Sequence, residues 1–132
     1  MTFVSTRIIT ANVGALVDFY EQITGYSAVR YTDDFAELRT PLAVLAIGST
    51  RTLQLFGGDS VASPATNRSL ILEFRVDDVD SHFKRLAGYL GQALVQEPTT
   101  MPWGNRSLLF RDPDGNLVNF FTPVTPEATE RQ

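Results

Sequence analysis

Residues 105–121 read N-R-S-L-L-F-R-D-P-D-G-N-L-V-N-F-F, two apolar runs on either side of Asp112-Pro113-Asp114-Gly115-Asn116. Proline presets the φ that the second position of a tight turn needs, and aspartate side chains bond back to turn amides. Gly115 supplies a positive φ without steric penalty. The flanking runs are rich in aromatic and branched residues, so the stretch predicts a β-hairpin. Around that hairpin the rest of the chain falls into place.

The chain has 132 residues, one domain's worth, of which 43% are hydrophobic and 20% charged. Such a length buries most of its apolar surface, and such a composition is that of a soluble globular protein. The formal net charge of −4 removes the electrostatic basis of phosphate-dominated nucleic-acid binding. No cysteine is present, which excludes disulfides, thiolate nucleophiles and thiolate metal sites. The start has no charged segment followed by an apolar one, and no apolar run is long enough to span a bilayer. These features predict a soluble, cytoplasmic domain without membrane or nucleic-acid partners.

Upstream, residues 3–10 read as a strand with Ile8 and Thr10 on one face and Ser5, Arg7 and Ile9 on the other. Asn12 is placed as a helix N-cap. Val13, Leu16, Phe19, Tyr20 and Ile23 then form one apolar helical face, which Gly25 ends. Strands are expected over residues 27–32, 35–40, 42–47 and 52–56, followed by a loop rich in small residues to about residue 68. The pattern then restarts. Residues 69–76 read as a strand, Asp78 as an N-cap, and Val79, Phe83, Leu86 and Leu90 as a helical stripe stopped by Gly91, before a strand beginning at 93–96. A shift of about 66 positions lays Asn12 on Asp78, Val13 on Val79, Gly25 on Gly91 and Val29 on Val95. That is an internal repeat. The polar residues 124–132 are expected to fray.

The string Pro102-Trp103-Gly104, then Arg111-Asp112-Pro113-Asp114-Gly115-Asn116-Leu117-Val118, resembles the closing hairpin of the vicinal oxygen chelate superfamily of glyoxalases, extradiol dioxygenases and bleomycin-resistance proteins. Val13–Gly25, with Phe19-Tyr20 before the glycine, resembles the first helix of that family, and the run Arg75–Asp80 the strand-to-helix entry of its second module. The resemblance implies an α+β fold of two βαβββ modules, whose mostly antiparallel sheet curves around a cavity. Module one takes residues 3–57, a loop 58–68, and module two 69–123, all within one domain. It also implies a homodimer, with modules exchanged between chains as one option.

Metal-dependent members of that superfamily hold a divalent cation on inward strand positions, leaving coordination sites for substrate. Counted from the helix caps, these positions fall on Ser5 and Ile71, with Gln54 in residues 53–55 and Asn119 four residues after Gly115. Ile71 has no donor atom, and the other three offer only neutral oxygens, a poor set for a transition metal. No metal or other cofactor is therefore expected. The only histidine, His82, lies off the apolar stripe of its helix and reads as a surface residue.

Other inward groups suit a ligand instead. Arg7 and Glu73 hold equivalent places in the two modules; they either pair with each other or leave a charge for a ligand. Gln54 and Asn119 offer neutral hydrogen bonds, Phe56 and Phe121 apolar walls, and Trp103 either a stacking surface or a loop plug. The leading function on this reading is metal-independent binding of a small, flat or partly anionic molecule, as in drug sequestration by bleomycin-resistance proteins. The alternatives are a metal-dependent lyase or dioxygenase of the glyoxalase type, and a purely structural dimer.

Overall fold

The computed structural model describes all 132 residues and divides into two compact units, Met1–Asn67 and Arg68–Gln132. In the first, strand β1 (Ser5–Thr10) leads to helix α1 (Val13–Thr24), followed by β2 (Val29–Thr32), β3 (Phe35–Arg39) and β4 (Val44–Ser49). The sheet order is β1-β4-β3-β2, with β1 and β4 parallel and the remaining pairs antiparallel. The side chain of Asn12 accepts the Ala15 amide at 3.0 Å, and Gly25 ends the helix at φ 77°. Leu16, Val17, Phe19, Tyr20 and Ile23 bury one face of α1 in a core with Ile8, Leu38 and Ile47. Full burial of each such side chain contributes about 1.5–3 kcal/mol of transfer free energy.

The second unit repeats the plan with β5 (Ile71–Arg75), α2 (Val79–Leu90), β6 (Leu94–Thr100), β7 (Asn105–Arg111) and β8 (Leu117–Pro123), in the order β5-β8-β7-β6. Asp78 caps α2 through the Asp80 and Ser81 amides. The Thr122 hydroxyl, on β8, accepts the Val79 amide and donates to the Val76 carbonyl, which ties the helix entry to the strand beside β5. Phe110 and Phe120 meet edge-on at 5.2 Å between ring centres, and Phe74 meets Phe120 at 5.6 Å. Both helices have 12 residues and start 66 positions apart, so the internal repeat is real. Neither sheet closes on itself. No helix is long and apolar enough to cross a membrane.

The closing hairpin stands as expected. The Asp112 amide donates to the Asn116 carbonyl at 3.0 Å, and the Gly115 amide donates to the Asp112 carbonyl at 2.9 Å. Asp112, only 5% exposed, accepts the Asp114 and Asn116 amides on Oδ1 and the Asn116 side-chain amide on Oδ2. Gly115 takes φ 84°.

Two of the secondary-structure expectations fail. The strand expected over residues 52–56 is a 3-10 helix, Thr50–Phe56. Ser49 caps it by accepting the Arg51 amide at 3.1 Å, and Gly57 ends it at φ 111°. Its start is tied down by Asp34, which accepts from the Ser49 hydroxyl at 2.8 Å and from Arg51 Nε at 2.9 Å. Those two bonds, the Ser49 hydroxyl first, hold the Asp34 carboxyl below its ordinary pKa. Competition from a local cap outweighs the alternation of Leu53 and Leu55. The second failure is the tail, where residues Pro126–Glu130 form helix α3, capped by the Thr125 hydroxyl and anchored by fully buried Ala128.

Candidate functional site

In parallel and antiparallel sheets alike, paired residues on neighbouring strands project to the same face. One row of the second sheet runs Glu73, Asn119, Leu109, Gln96. It lies on the face opposite Phe74, Phe110 and Phe120. Alternation along the strands adds Ile71 and Leu117 on one side of this row, and Arg75, Phe121 and Ser107 on the other.

Asn119 is the centre of this face. It is 8% exposed, and its side-chain amide donates to Glu73 Oε2 at 2.8 Å. Its own oxygen, Oδ1, is buried without a hydrogen-bond partner. Turning the amide over would set two acceptors against each other, so the carboxylate fixes which way the amide points. Glu73, exposed on the edge strand, keeps one carboxylate oxygen clear of that bond. Phe121, two residues on, is 7% exposed and walls the same face. Of the residues singled out in the sequence, the structure thus brings Glu73, Asn119 and Phe121 together.

Trp103 belongs to the same unit but not to this row. It precedes the Asn105–Pro123 pair, four pairs along the strand from Asn119, or about 13 Å at ordinary strand rise. The residue is 59% exposed rather than packed as a plug, and its carbonyl accepts from the Arg131 guanidinium.

In the first unit the equivalent row is Arg7, Ala46, Glu37. The Arg7 guanidinium lies 5.1 Å from the centre of the Phe35 ring, a cation–π arrangement. Gln54 and Phe56 are not on any strand; both are exposed on the 3-10 helix, Phe56 at 64%. They are removed from the inward set. The reason is a drift in the repeat: Arg7 and Glu73 are 66 residues apart, whereas their strand partners Ala46 and Asn119 are 73 apart. Longer strands β6 and β7 and the turn between them insert the extra residues, so a constant shift overshoots into residues 53–55. The position matching Asn119 is Ala46, which has no donor atom.

His82 is more embedded than a surface histidine. Its ring meets Phe120 edge-on at 5.5 Å, and Arg85 Nη2 lies 2.8 Å from Nδ1. A guanidinium can only donate, so Nδ1 is the acceptor and the proton sits on Nε2. Burial, then the Arg85 charge, push its pKa below the ordinary value of 6.5. A separate cleft of about 380 Å³ lies in the first unit between the start of α1 and the β2–β3 turn, lined by Val13, Gly14, Arg30, Tyr31, Thr32 and Asp33. Arg30 is already engaged by Asp18 and Glu21 at 3.3 and 3.1 Å.

Two βαβββ units with matching helix entries and a D-P-D-G closing turn define the glyoxalase-type α+β fold. The chain belongs to the Glyoxalase/Bleomycin resistance protein/Dioxygenase superfamily, whose family model matches residues 2–120. A glyoxalase/bleomycin resistance protein/dioxygenase family enzyme from Burkholderia phytofirmans PsJN superposes with a TM-score of 0.79 at 19% identity, over 91% of this chain and 97% of that one. A glyoxalase/bleomycin resistance protein/dioxygenase from Nocardioides gives 0.77 at 22% identity, covering 96% of this chain and 85% of the other. Uncharacterized protein YwbC of Bacillus subtilis (strain 168) is 26% identical over 121 residues, 88% of this chain and 93% of its own length.

The metal that this family can imply does not fit the residues present. The first unit offers Ser5 and Ala46 and the second Ile71 and Asn119; in each unit one position has no donor and the other only a neutral oxygen. No group of three or more His, Cys, Asp or Glu side chains gathers where it would hold an ion.

Proposed function

We propose that the protein binds a small organic molecule on the face of its second sheet that carries Glu73, Asn119 and Phe121, without a transition metal. The observation that carries this reading is Asn119 Oδ1. A buried acceptor without a partner costs about 1–3 kcal/mol, and a ligand donor that meets it recovers that cost on binding. Phe121 supplies the apolar wall and Glu73 the charge. Ligand sites of this kind combine an apolar surface with a few convergent polar groups.

Arg7, with Phe35 beneath its guanidinium, is proposed as a polar anchor of the first unit in its own right. Trp103 serves as an exposed stacking surface at the far end of β7. Sequestration of an antibiotic in the cytoplasm, by a homodimer, is the physiological use this reading favours. The test is a small-molecule screen followed by amide NMR. Ligands should shift the Asn119 side-chain resonances together with Phe121, and Asn119→Leu should abolish both binding and shifts. Ligands that shift only residues of the α1 cleft would overturn the assignment.

A further inference from the structure

The chemistry of the Glu73–Asn119 pair narrows the ligand. Asn119 spends a side-chain N–H on Glu73 and turns a bare oxygen into the buried part of the face. Glu73 is itself an acceptor with one oxygen outside that bond. Beside each other, then, stand a buried neutral acceptor and an exposed carboxylate. We infer that this pair receives a cationic nitrogen group of the ligand: an amidinium, a guanidinium or a protonated amine. This deepens the proposed binding function and rests on it.

Such a group brings N–H donors and positive charge in one unit. One N–H meets Asn119 Oδ1 while the charge faces Glu73, and hydrogen bonds with an ionised partner are roughly twice as strong as neutral ones. A planar fork fits best, because two donors held in one plane reach two separate acceptors. Gln96, at the far end of the row, brings no competing charge. Arg111 Nη1 is held by the Gly115 carbonyl at 2.9 Å, which keeps that cation on the hairpin turn. Arg75, two residues beyond Glu73, is the one cation on this face with which a carboxylate ligand would pair. A ligand anion placed over Asn119 would instead set oxygen against oxygen. The overall charge of −4 adds a weak general attraction for cations.

Three probes of one shape separate these outcomes: benzamidine, benzamide and benzoate, each titrated into uniformly labelled protein and followed by amide NMR. Benzamidine should shift the Asn119 side-chain amide and bind at least tenfold more tightly than benzoate. Glu73→Gln preserves an acceptor for the Asn119 amide while removing the charge. It should erase the preference for benzamidine over benzamide. Benzoate binding most tightly, or a benzamidine preference that survives Glu73→Gln, would overturn the inference while leaving the binding face intact. If none of the three shifts Asn119, the inference fails. If the broader screen then also finds no ligand for this face, the binding function itself falls.

Discussion

Gly115 and Asp112 show how much of the hairpin rests on single residues. Gly115 adopts φ 84°, and nothing lies within 4 Å of where a Cβ would be, so the cost of any substitution there is in the backbone alone. Gly115→Val should destabilise the fold by about 1–3 kcal/mol, the usual cost of a strained φ in a branched residue; thermal melting reads it. At Asn119 the effect is electrostatic. Asn119→Asp would place a second carboxylate against Glu73 in a buried position and should cost about 1–3 kcal/mol near neutral pH. Acidification should recover much of that loss as one carboxyl takes up a proton, which a series of melts against pH would show. His82 titrates in the opposite sense to an ion-paired histidine. Its folded pKa is depressed by burial and by Arg85, so the unfolded chain binds the proton first. Its contribution is complete above the unfolded value of about 6.5 and is lost as pH falls through the depressed folded value. An NMR titration of the imidazole that gave an elevated pKa would contradict this account.

At the level of elements, Pro102-Trp103-Gly104 and the tail explain each other. The Val124 amide donates to the Gly104 carbonyl at 2.8 Å, and α3 starts one residue after Thr125, which stands against Gly104. A Cβ at Gly104 would lie 2.2 Å from Thr125 Oγ1 and 3.0 Å from the Ala128 Cβ, with φ at 92°. Gly104→Ala should therefore release α3 and cost about 1–3 kcal/mol. Faster hydrogen exchange at residues 124–132 would report the release, and unchanged exchange would refute it. The sequence showed both long helices to their ends, because apolar periodicity, caps and stop glycines agreed there. It did not show α3, whose five residues have no periodicity and whose one buried side chain is an alanine. It also misled at residues 50–56. Leu53 and Leu55 alternate like strand residues, but Ser49 and Gly57 are caps, and only Leu53 of the two is buried.

Across the whole molecule, the two-unit plan was legible because the first half of the repeat keeps a constant spacing through strand and helix. The candidate site was legible only in the second unit, where the D-P-D-G turn pins β8 and fixes the place of Asn119 directly. In the first unit no such marker precedes β4, and the seven-residue drift moved the equivalent position from Gln54 to Ala46. With that correction one more of the positions offered to a metal is left without a donor, and the central claim is binding of an organic molecule without one. Native mass spectrometry of the freshly purified protein, beside its Asn119→Leu variant, tests the claim most directly, because one spectrum reports oligomer mass, metal and organic ligand together. The account predicts a dimer carrying no stoichiometric zinc, nickel, iron or manganese, and an organic adduct that the variant lacks. About one transition metal per chain, retained by the wild type and lost on Asn119→Leu, would contradict it.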